Sequence, residues 1–128
     1  MWKNALESPQ QANEFARRVV ALSPRILSVE IIDEPGHCVG GHVKEELRAT
    51  RSISKESWRS AGFQNAIFFA GPQGADCEAV VLVRKDEYEV LIQSRRDMMI
   101  VDAAIDKNDS ITDVATQSEK IREMLLSP

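Results

Sequence analysis

A chain of 128 residues with 43% hydrophobic and 28% charged residues can bury a sizeable core and is too apolar for a disordered polymer. The formal net charge of −4 and a pI of about 5.2 argue against a nucleic-acid partner, because phosphate binding draws most of its affinity from a basic face. Apolar runs such as Ala66–Ala70 are far too short to cross a bilayer, and no basic segment followed by an apolar core opens the chain. The expectation is therefore a cytoplasmic protein with no membrane partner, whose two cysteines, Cys38 and Cys77, are reduced thiols.

Residues 1–8 read as an N-terminal tail, and 9–126 as one domain with no repeat or linker. Ser8 suits an N-cap, Pro9 the first helical position, and Gln11 completes a capping box. Ala12, Phe15, Ala16, Val19 and Val20 then recur at helical spacing until Pro24 disfavours helix at Ser23, which predicts a helix over about 9–22. Over 26–32, Leu27, Val29 and Ile31 alternate with Ser28 and Glu30, the period of a half-buried strand. Asp33-Glu34-Pro35-Gly36 fits a type II turn that returns the chain as a second strand, His37 to Val43. Lys44–Ser52 is polar and reads as loop.

Ser54 can cap a middle helix over about 55–70, with Ile53 and Trp58 at hydrophobic-staple spacing and Gly71-Pro72 as the stop. Ala79–Arg84 is nearly all apolar and reads as a central strand. Lys85-Asp86-Glu87 turns it into Tyr88–Gln93, and Arg95-Arg96-Asp97 turns that into Met98–Val101. Ser110 and Asp113 open a last helix with the stripe Ile111, Val114, Ala115, Ser118, Ile121 and Leu125. The predicted class is α+β, a central antiparallel five-stranded sheet flanked by helices in the order α-β-β-α-β-β-β-α.

The middle helix is apolar over too wide an arc. Trp58, Gly62 and Phe69 cluster on one side, Ala66 and Ala70 continue it, and Phe63 and Ile67 carry it to about half the circumference. A helix on one sheet needs a stripe of only about 100°. The surplus implies a partner; two other readings stay open. The remaining helices or the 44–53 loop can cover it within one chain, or Gln64–Ala70 can be partly strand, given the β-propensity of Ile67, Phe68 and Phe69.

Catalytic and metal chemistry finds little support. His37, Cys38, His42 and Cys77 are the soft ligands, and simple alternation puts Cys38 and His42 on one face of a strand and His37 on the other, so no metal site is expected. Neither cysteine sits in a nucleophile signature, and Gly40-Gly41 lacks the spacing of a phosphate loop. Glu45, Glu46, Asp86 and Glu87 read as solvated turn charges. No catalytic residue, metal or cofactor is expected.

The hairpin Leu27-Ser28-Val29-Glu30-Ile31-Ile32-Asp33-Glu34-Pro35-Gly36-His37-Cys38-Val39-Gly40-Gly41, the long helix after it, the meander Ala79–Val101 and the terminal helix resemble the roadblock/dynein light chain family, a profilin- or longin-like sandwich. The resemblance spans about residues 10–126. The strand–charged turn–strand Val83-Arg84-Lys85-Asp86-Glu87-Tyr88 is similar to short archaeal relatives, which suggests an archaeal or bacterial source. It implies a homodimer in which the middle helices pack together and the strands Ala79–Arg84 pair into one sheet, with Trp58, Phe63, Ile67, Val81 and Val83 at the interface. It further implies a non-catalytic regulatory platform for a Ras-like small GTPase or another signalling protein. The polar loop Lys44–Ser52 and the acidic hairpin depart from typical members. A small-molecule sensor of the PAS or GAF type shares the strand–strand–helix–three-strand layout and is the alternative expectation; it would need a cavity between sheet and helices.

Overall fold

A computed structural model describes residues 8–33, 37–49, 65–69, 77–94 and 99–126. The elements in chain order are α1 (Pro9–Val20), β1 (Ile26–Ile32), β2 (Cys38–Val43), a short 3-10 turn (Glu45–Leu47), β3 (Asn65–Phe69), β4 (Cys77–Val83), β5 (Glu87–Ser94), β6 (Met99–Asp106) and α2 (Ile111–Leu126). The class is α+β, with one antiparallel sheet flanked by helices in the order β2-β1-β6-β5-β4-β3. Among the described residues, no helix is long and apolar enough to cross a membrane.

All five expected strands are present, and a sixth joins them. Asn65–Phe69 is β-strand, not the end of a middle helix, and pairs with β4 through Ala66–Leu82, Ile67–Val81 and Phe68–Val80. The open alternative in the sequence thus prevails here: Ile67, Phe68 and Phe69 are stiff or aromatic side chains, and an interior strand beside them supplies the hydrogen bonds. The rest of the predicted middle helix, the Asp33–Gly36 turn beyond Asp33 and the Arg95–Asp97 turn lie outside the described residues.

Both described helices lie against one face of the sheet. Ala12, Phe15, Ala16 and Val19 of α1 and Val114, Ile121 and Leu125 of α2 share a core with Val29 and Ile31, Val101, Ala103 and Ile105, Val90 and Ile92, and Ala79 and Val81. Cross-strand pairing stacks these residues: Val29 lies opposite Ala103, Ile31 opposite Val101, Val90 opposite both Ala103 and Val81. Tight pairing of this kind makes the sheet's helix face its main hydrophobic reservoir.

The caps follow sequence at one end of the chain only. Asp113 donates its backbone N–H to Ser110 Oγ at 3.1 Å, as expected for the cap of α2. Ser8 occupies the N-cap of α1, but its hydroxyl makes no capping bond; Ala12 N–H instead donates to the Ser8 carbonyl at 2.9 Å. Ile111, assigned to the buried stripe of α2, is exposed in its first turn. Gln117 fastens the helix, its side-chain amide donating to Asp109 at 2.7 Å and Ser23 at 3.3 Å.

Candidate functional site

The residues assigned to a dimer surface fall in three places. Trp58 and Phe63 lie outside the described residues. Ile67 is in β3, in register with Val81. Val81 is 0% exposed and belongs to the helix-face core, while Val83 is half-buried opposite Asn65 and Tyr88. The strand expected to pair with a second copy is interior: β4 is hydrogen-bonded to β3 on one side and β5 on the other. Pairing through 79–84 would need an edge that this sheet does not leave open, because each strand has only two.

Among the described residues, the terminal strands of the sheet are β2 and β3. They are guarded differently. Helix α1 lies along β2, and Gly41 donates its backbone N–H to Asn13 Oδ1 at 2.8 Å, so one edge donor is satisfied by a side chain. Gly40 permits the approach, since a Cβ there would meet Asn13 Oδ1 at 2.5 Å, Ala12 Cβ at 3.0 Å and the Pro9 carbonyl at 3.1 Å. β3 reads Asn-Ala-Ile-Phe-Phe, without a charge, glycine or proline to discourage strand addition.

The second sheet face carries a group of acidic side chains on β1, β5 and β6. Glu30 on β1 lies opposite Asp102 on β6, and Glu89 on β5 is the diagonal neighbour of Asp102, since Leu91 faces Asp102 and Glu89 faces Ala104. Exposure is 7% for Glu30, 5% for Asp102 and 6% for Glu89, so both faces of the central strands are buried, not one. Ser28, Ile32, Leu82 and Ala104 on the same face are buried too. Arg84 reaches the group from the end of β4, donating its Nε–H to Glu89 Oε1 at 2.6 Å, with a second guanidinium nitrogen on the same oxygen. Lys107 donates to the Arg84 carbonyl at 2.5 Å and stands 4.8 Å from the centre of the Tyr88 ring. Burial, reinforced by the hydrogen bond and charge of Glu89 and the charge of Glu30, pushes the Asp102 carboxyl up to about 10, against the pull of Arg84.

A bulge between Ile31 and Ile32 breaks the alternation expected along β2. Cys38 pairs with Ile32 and His42 with Val29, which puts them on opposite faces of the sheet, whereas simple alternation put them together. The Cys38 thiol is half-buried and contacts the Gly40 carbonyl at 3.4 Å; burial and the nearby Glu30 push it up, away from nucleophilic thiolate. Burial, with Arg48 and Arg17, pushes His42 down. His37 is exposed, 3.9 Å from Asp33. Among the described residues, no group of three or more His, Cys, Asp or Glu side chains is arranged to hold a metal ion.

The signal that could have exposed the carboxyl group was faint. Ile31 and Ile32 in succession hint that both faces of β1 are apolar, and Asp102-Ala103-Ala104-Ile105 extends the last strand past the Val101 boundary. Comparison of the chain with protein-family models, with curated proteins and with solved structures finds no match.

Proposed function

We propose that this chain is a non-catalytic interaction module that works as a homodimer, its two sheets joined edge to edge through β3. The observation that carries this reading is the asymmetry of the sheet's two ends. β2 is shielded by α1 and the Asn13–Gly41 bond, whereas β3 is a terminal strand with no charged residue beside an interior neighbour. Antiparallel addition of a second β3 is self-complementary and closes with two-fold symmetry, so it stops at a dimer. The likeness to the roadblock/dynein light chain layout supports a platform role for a small GTPase or other signalling protein, with the joining strand moved one place outward, from 79–84 to 65–69.

Light scattering and sedimentation of the purified chain test it. A dimer mass at micromolar concentration is expected, and Phe68→Lys, which sets like charges across the symmetric edge, should give a monomer with an unchanged circular dichroism spectrum. A wild-type chain that stays monomeric at tens of micromolar would overturn the reading.

A further inference from the structure

Hydrogen-bond parity fixes which backbone groups of β3 turn to its open side. In an antiparallel sheet, successive residues of a strand direct their N–H and C=O groups alternately to one neighbour and the other. Arg84 donates its N–H to the Glu87 carbonyl at 3.0 Å, so the even-numbered residues of β4 bond to β5, and Val83, Val81 and Ala79 bond to β3. Carried the other way through β5, β6 and β1, the same alternation has Leu27 face β2, and Lys44 does donate its N–H to the Leu27 carbonyl, at 2.9 Å. Asn65, Ile67 and Phe69 therefore spend their backbone groups on β4. Ala66 and Phe68 present theirs outward, on the side where no strand pairs with β3 among the described residues.

We propose that two copies of the chain join with Ile67 on the two-fold axis, Ala66 of each hydrogen-bonded to Phe68 of the other. This rests on the dimer reading above and adds the register that the dimer must adopt. Sliding one copy by a single residue sets Ala66 and Phe68 against residues whose groups already face β4, and no ladder forms. Sliding it by two residues puts Ala66 or Phe68 on the axis and leaves one hydrogen-bonded pair, a residue with its own copy, inside Asn65–Phe69. The axis at Ile67 keeps both pairs, Ala66 with Phe68 and Phe68 with Ala66, and each pair exchanges two bonds. It also aligns the whole strand, Asn65 opposite Phe69 at both ends. Ile67 then meets its own copy in a non-hydrogen-bonded pair with Cα atoms about 4.5 Å apart. Ala66 and its copy, like Phe68 and its copy, are diagonal neighbours about 7–8 Å apart.

Disulfide trapping reads that difference, because a disulfide spans Cα atoms about 4.4–6.8 Å apart and not more than about 7 Å. Ile67→Cys, Ala66→Cys and Phe68→Cys are oxidised separately and run without reductant, with wild type as the control for Cys38 and Cys77. The expected result is a covalent dimer from Ile67→Cys and none from the other two. Cross-linking through position 66 or 68 instead, or an Ile67→Cys protein that is a dimer by light scattering yet does not cross-link, would overturn the register and leave the dimer standing. A monomeric wild type would remove both. If the cysteine variants do not fold, amide hydrogen exchange of the wild type decides. The Ala66 and Phe68 amides should both be protected in the dimer and lose that protection on dilution to monomer, while Ile67 keeps its protection from β4. Protection of only one of the two places the axis on that residue and refutes the proposal; protection of neither refutes it as well.

Discussion

Replacing Gly40 with alanine tests how α1 is seated on β2. The added Cβ would lie 2.5 Å from Asn13 Oδ1, closer than any real contact, with Ala12 Cβ at 3.0 Å and the Pro9 carbonyl oxygen at 3.1 Å behind it. Asn13 can swing aside, but only by giving up its 2.8 Å bond to the Gly41 N–H, a solvent-facing bond worth about 0.5–1 kcal/mol. The other two neighbours belong to the helix itself and give only if α1 rises by a few tenths of an ångström. Overpacking of that kind costs about 1–3 kcal/mol. Together the substitution should destabilise the domain by about 1.5–4 kcal/mol in urea denaturation followed by circular dichroism. Asn13→Ala removes the nearest clash, so Asn13→Ala with Gly40→Ala should cost less than the sum of the two single changes. A Gly40→Ala protein within about 0.5 kcal/mol of wild type would mean that α1 does not rest on this strand.

Arg84→Met should destabilise by about 3–5 kcal/mol, because it leaves the buried Glu89 charge without its guanidinium; adding Glu89→Gln should recover part of the loss, and denaturation of the single and double variants beside wild type reads this directly. His42 is held below its ordinary value of 6.5 by burial and by Arg48 and Arg17, so the unfolded chain binds its proton first as pH falls. Stability should therefore drop as pH falls through the ordinary value of 6.5, and His42→Gln should flatten that drop; an unchanged profile would exclude His42 as its source.

The strands that sequence reveals best are those whose burial is decided locally. Val29 and Ile31, or Val90 and Ile92, alternate along the chain and end on the same core, so period and burial agree. Ile67-Phe68-Phe69 fits helix and strand equally by pattern, and only pairing with Ala79–Val83 resolves it. Asp102 was illegible for another reason. A charged residue after Val101 reads as the end of a strand, and its place beside Glu30 and Glu89 is set by strands from distant parts of the chain. The separation of Cys38 from His42 comes from one extra residue in a hairpin, which composition does not register.

The seam between β1 and β6 has a consequence for assembly in the cell. Ile32 meets Ile100 across the whole middle of the chain, so the opening hairpin has no inner neighbour until the last strand leaves the ribosome. Until then the nascent protein is two separate pieces, each with an open inner edge, and closure between them must overcome the entropy of a long loop. Synthesis paused before Met99 would leave those edges free to capture other strands, so release of β6 is the step that commits the chain to its native state.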